Sequence, residues 1–220
     1  MCTGFSLPIE TPTAVGSTAT GITLSESMRA SLDDQSIIRS KGARILYDEA
    51  TSRLIIKLVG PAHEVAHRTL FDVIVTETAL MGLRGELSSV GAARVTHNNI
   101  SKEPDSSFQP VHLLQGRPIT WPSVIIESGY ADSTTILQEM EDLWIGNSDR
   151  QVKVAIIMSM EKSRDRIVVE KWVPSSIPQR VSDPALRRRG QSAVHKQEVV
   201  IVQTPDGQGA VSGSPPVIKF

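Results

Sequence analysis

Residues 123–128, SVIIES, are a continuous apolar run of strand length that ends on the acid Glu127, and residues 152–160, VKVAIIMSM, are a second such run. Apolar runs without polar alternation fit strands covered on both faces, the condition of a strand inside a parallel or mixed sheet. Between them lies STTILQEMEDLWIG, with Asp132 or Ser133 as an N-cap and Gly146 as a stop, which predicts a helix over 133–146. Strand, helix and strand in this order make a β-α-β unit, so the chain must build a sheet with helices packed on it.

The segments around this unit extend the sheet. RILYDEATSRLIIKLV sets two β-rich stretches about the turn DEATS, the pattern of an antiparallel hairpin. GPAHEVAHRTLFDVIVTETALMGL opens on Gly60-Pro61 and carries Ala66, Leu70, Val73, Ile74 and Leu80 at helical spacing, which predicts a long helix over 62–82. VGAARVT and PDSSFQP read as short strands among turns, DRIVVEKWV as a strand of a short hairpin, and KQEVVIVQTP as one further strand. The expectation is an α/β protein with a central mixed β-sheet flanked by helices and preceded by a β-hairpin. Residues 1–28, rich in Thr, Ser, Gly and Pro, read as a flexible tail and residues 29–173 as the α/β domain. Residues 174–195 read as a charged loop, and residues 196–220 as a C-terminal strand with an extended tail.

Composition narrows the function classes. Lys plus Arg number 23 against 24 Asp plus Glu, so no broad positive field advertises nucleic acid, and any such contact must come from a local patch. The clearest patch, Arg187 to Arg189 with His195 and Lys196 behind it, falls in the charged loop and reads as a flexible basic segment or a phosphate contact. The lone Cys2 cannot form an intramolecular disulfide, and no apolar run approaches the roughly 20 residues that cross a bilayer. These features suggest an intracellular protein, cytoplasmic or nuclear, without a membrane partner. Trp121, Trp144 and Trp172 lie on different elements and read as core or rim packing.

Chemistry concentrates in two acids. Glu127 closes an apolar strand, where an ionised carboxylate is costly unless it meets a metal, a cation or water. Asp105 follows Pro104 in KEPDSSF, a pair that also forms turns. Two strand-borne carboxylates side by side can hold divalent cations, because hard cations take carboxylate oxygens and leave positions for water and phosphate. His63 and His67, one helical turn apart, have metal-binding spacing, but such a pair without a third ligand usually reads as structural.

Taken together, KEPD at Lys102 to Asp105, Trp121-Pro122, VIIE at Val124 to Glu127 and EKW at Glu170 to Trp172 resemble the PD-(D/E)XK restriction-endonuclease-like superfamily, in particular fungal proteins of unknown function with that fold. The resemblance runs from about Arg44 to Trp172 and implies a core of αβββαβ order. It implies that Asp105 and Glu127 are catalytic metal ligands, that Mg²⁺ or Mn²⁺ is the cofactor, and that DNA or RNA is the partner. It also implies an acid from the first helix, for which Glu77 is the candidate and Glu86 the fallback. The lysine of the motif is missing, since Gly129 stands at its position. Some members of the superfamily carry that lysine on the following helix, where this chain has Gln138, an amide that orients water but brings no charge. Catalysis would then rest on the metal, or on a lysine from elsewhere, Lys153 or Lys102, each otherwise a solvated edge lysine. Two functions follow from the resemblance: a Mg²⁺-dependent nuclease with a weakened site, or a catalytically inactive module that binds protein or nucleic acid.

Overall fold

The computed structural model describes residues 19–23, 43–48, 53–97, 100–113, 115–130, 143–161, 165–176, 193–206 and 208–213. The two apolar runs are β8 (Val124–Tyr130) and β9 (Val154–Glu161), and they pair in parallel from Val124↔Val154 to Tyr130↔Met160. Before them come β1 (Ala19–Thr23), β2 (Ala43–Asp48), β3 (Arg53–Leu58), helix α1 (Pro61–Leu80), β4 (Leu87–Ser89), β5 (Val95–His97), β6 (Ile100–Lys102) and β7 (Ser106–Pro110). After them come β10 (Arg166–Pro174), β11 (Ala193–Gln203) and β12 (Gly209–Gly213). The seven-stranded sheet has the order β12-β11-β10-β9-β8-β7-β4 and the five-stranded sheet the order β1-β3-β2-β6-β5. With β8 and β9 parallel and the neighbouring pairs β7–β8 and β9–β10 antiparallel, the large sheet is mixed, and the protein is α/β with more strand than helix.

Side-chain alternation along β8 and β9 divides the core. Ile126 and Ile156 face α1, packing with Phe108, Met158, Val169 and Ile74, and Phe71 of α1 stacks on Phe108 at 4.8 Å. Ile125 and Ala155 face the opposite way, toward Trp121, Trp144 and Ile145, while Ile157 meets Leu46, Ile55 and Ile100 of the small sheet. Successive residues of a strand point to opposite faces, so α1 and the small sheet lie on either side of the large one. Among the described residues 143–147 are helical, and Leu143, Trp144 and Ile145 are buried there; residues 131–142, most of the helix expected over 133–146, lie outside the described residues.

Helix α1 starts where the sequence implies, with Pro61 at its first turn. Its packed face differs from the expected stripe. Val73 and Leu80 are exposed, whereas His63, His67 and Ile74 are buried with Leu70 and Phe71 beside them. The helix lies on the sheet from His63 to Ile74, which leaves Val73, Val75 and Leu80 outside.

Two stretches expected to be loose are paired. Residues 19–23, inside the expected tail, form β1 antiparallel to β3, from Ala19↔Lys57 to Thr23↔Arg53. Thr20, Ile22 and Thr23 are β-branched, and β3 without them would present an open hydrogen-bonding edge. Residues 209–213 form β12 against β11, although Gly, Ala and Ser dominate them. Their register is set by the preceding turn, where Thr204 donates its N–H and its hydroxyl to the Gln208 carbonyl, both at 2.8 Å. The Arg187 to Arg189 patch lies outside the described residues. No helix among the described residues is long and apolar enough to cross a membrane.

Candidate functional site

The register of β7 and β8, Ser106↔Ile126, continues to set Asp105 opposite Glu127 on the neighbouring strand. Like charges directly opposed in a sheet repel, and both side chains are buried, so the pair requires a cation. That cation is Lys57, the penultimate residue of β3. Its Nζ lies 2.6 Å from Asp105 Oδ2 and 3.1 Å from Glu127 Oε2. Burial alone would lower the Lys57 pKa, but Asp105 and then Glu127 outweigh it and hold the ammonium above its ordinary value.

Each acid has further partners. Asp105 Oδ2 meets His63 Nε2 at 2.9 Å and accepts the Ser128 N–H at 2.7 Å and the Ser128 hydroxyl at 3.2 Å. Burial would raise the Asp105 carboxyl, yet the Lys57 ammonium and His63 keep it well below the carboxylate range. Glu127 Oε1 accepts the Trp144 indole N–H at 2.8 Å and lies 3.4 Å from Lys102 Nζ, which sits 4.4 Å over the Trp144 ring. Burial pushes Lys102 down to about 7; Glu127 opposes this shift and Lys57 adds to it. The result is a solvent-excluded cluster of two carboxylates, two lysines, a histidine, a serine and a tryptophan, joining the small sheet to one side of the large sheet and α1 to the other.

Of the residues singled out in the sequence, Asp105 and Glu127 come together and three others do not join them. Glu77 is exposed on α1. The acid pair meets the first turn of α1 through His63, and Glu77 is fourteen residues further on, about 21 Å along the axis. Glu86, the fallback, is exposed beyond the helix. Lys153 is exposed as well. The β8–β9 register pairs Glu127 with Ile157, so Lys153 stands four residues back, about 13 Å toward the other end of the strand. Gln138 lies outside the described residues. Lys102, expected at a solvated edge, is instead buried against Glu127.

Lys57 was missed by reasoning from sequence, although a signal exists. In RLIIKL, Ile55 and Lys57 share a face, and Ile55 belongs to the core, so a lysine on that face must find an acid. A surface cavity of about 500 Å³ opens elsewhere, lined by Ala62, Tyr130, Met160, Arg166 and Ile167 among others, with neither acid in its lining. Compared with known proteins, the chain matches no family model and no curated protein.

Proposed function

We propose that this chain is a PD-(D/E)XK nuclease-like domain whose missing lysine is supplied by Lys57, and that it hydrolyses nucleic-acid phosphodiesters with a divalent cation at Asp105 and Glu127. The observation that carries the reading is one ammonium within 3.1 Å of both acids, which assembles a lysine of β3, an acid of β8 and the acid that immediately precedes β7. The element order supports it too: α1, then β4, β7 and β8 side by side, then a segment ending in helical residues 143–147, then β9 parallel to β8, with β5 and β6 inserted in the other sheet.

The donor set suits a hard cation, since two carboxylates converge on one cationic position. Mg²⁺ bound there would lower the pKa of water and offset phosphoryl charge. Asp105 is held ionised and oriented by Ser128 and His63, and Glu127 is oriented by Trp144. Lys57, released from the acids, supplies the positive charge that neither Gly129 nor Gln138 can bring.

The second reading, a catalytically inactive module, is favoured by burial. The Asp105 and Glu127 side chains are 0% and 2% exposed, so substrate reaches them only if the cluster opens. Incubating the full chain with single- and double-stranded DNA and RNA in Mg²⁺ separates the two. Cleavage lost in both Asp105→Asn and Glu127→Gln supports hydrolysis; Mg²⁺ binding without cleavage supports the inactive module.

A further inference from the structure

We propose that the first two turns of α1 carry a second metal site, adjoining the acid pair through His63, in which His63, Glu64 and His67 hold a borderline divalent transition ion such as Zn²⁺. Residues 63–67, HEVAH, have the H-E-x-x-H spacing that puts two histidines on one helix face. One donor atom from each of the three residues lies within 4.8 Å of the others, and the imidazole centroids are 5.4 Å apart.

The partners of the two rings argue for a ligand. His63 Nε2 meets the Asp105 carboxylate at 2.9 Å, and a carboxylate only accepts, so Nε2 carries the proton and Nδ1 keeps the lone pair in the neutral ring. His67 Nδ1 meets the Ser106 hydroxyl at 2.9 Å. Each ring is thus anchored by one nitrogen to an oxygen partner, the arrangement that orients metal-bound histidines. The other nitrogens, His63 Nδ1 and His67 Nε2, are buried and, among the described residues, meet no well-aligned hydrogen-bond partner. The Glu64 carboxylate faces both, 4.0 Å from His63 Nδ1 and 3.3 Å from His67 Nε2, without hydrogen-bond alignment. A buried nitrogen whose nearest oxygen is out of hydrogen-bond alignment calls for an explanation, and two aimed toward one carboxylate have a shared one.

The geometry needs little closure. Donors around a tetrahedral ion with bonds of about 2.1 Å stand roughly 3.4 Å apart, a spacing Glu64 and His67 already have at 3.3 Å, while the other pairs, within 4.8 Å, close by small turns of Glu64 and of the two rings. Glu64 is 35% exposed and shares its Oε2 with Arg68 at 3.3 Å, so it can exchange that surface ion pair for the metal and leave a coordination position open to water. Two imidazoles and one carboxylate favour zinc-like ions over Mg²⁺, which prefers oxygen ligands alone.

The test uses the full chain, stripped of metal by a chelator and titrated with ZnCl₂ in a calorimeter, and with Co²⁺ followed by its visible absorption. The expected result is one Zn²⁺ per chain and a Co²⁺ spectrum of low coordination number. Glu64→Gln and His67→Gln each weaken Zn²⁺ binding at least tenfold, Ser106→Ala weakens it about 10- to 100-fold through loss of the His67 anchor, and Glu127→Gln leaves it unchanged. Should His67→Gln fail to fold, the partly exposed Glu64→Gln decides. The proposal is overturned if the wild type binds no Zn²⁺, if Glu64→Gln binds as tightly as the wild type, or if Glu127→Gln is the variant that abolishes binding.

Discussion

Lys57 and Asp105 form a buried ion pair at 2.6 Å, and the same ammonium reaches Glu127, so one cation serves two acids that the sheet register sets face to face. Replacing Lys57 by Met leaves two carboxylates opposed in the interior. The expected cost is about 3–5 kcal/mol of folding free energy, the range for removing one member of a buried charge cluster. Urea unfolding monitored by circular dichroism measures it; a loss below about 1 kcal/mol would show that the cluster is hydrated in solution.

Lys102 should behave differently because its charge is already half lost near neutrality. Its folded pKa of about 7 is below the unfolded value of 10.5, so burial penalises the protonated form, fully below about pH 7. Between pH 7 and 10 the unfolded chain binds more protons, and the metal-free protein gains stability as pH rises. Lys102→Met should flatten that slope and cost less at pH 7 than Lys57→Met. Thermal midpoints across this range test the point, and an unchanged slope in the variant would assign the titration to another group.

The two groups with opposite shifts set the outer limits. Lys57, raised above 10.5, contributes stability below that pH and loses it only as pH climbs through the higher folded value. Asp105, depressed below 3.8, contributes above that pH and loses it as pH falls through the lower folded value. Asp105→Asn should therefore unfold with a weaker acid dependence below pH 4 than the wild type does, as acid titration of ellipticity can show.

Trp144→Phe removes the indole N–H from Glu127 and leaves most of the ring under Lys102. The lost bond is to a buried acceptor, so the expected destabilisation is about 1–3 kcal/mol. Trp121→Phe removes an indole N–H that has no hydrogen-bond partner among the described residues, and should cost less.

How much of this was legible in the chain follows from the range of each signal. The β8–β9 pair, the β2–β3 hairpin and α1 announce themselves through local apolar pattern, and Asp105 and Glu127 through acids set beside apolar strands. Lys57 announces only that it needs an acid; which acids it meets, 48 and 70 residues away, only the register of two sheets reveals. Glu77 stands seven residues from Leu70 and three from Ile74, both packed on the sheet, yet it is exposed, because spacing does not say where along the helix the contact with the sheet ends. β12 formed despite its composition, since the turn at Thr204 fixes its register.

The measurement closest to the central claim is the thermal midpoint of the full chain over a Mg²⁺ titration, with Glu127→Gln and Asp105→Asn alongside. An ion that binds only the folded protein raises its stability by RT ln(1 + [Mg²⁺]/Kd), about 2.7 kcal/mol at a hundredfold excess over Kd. The wild type should show a rise that both variants lose while still folding without metal. Identical responses in all three proteins would contradict the claim, and would leave Lys57 as the permanent counterion of a purely structural acid pair.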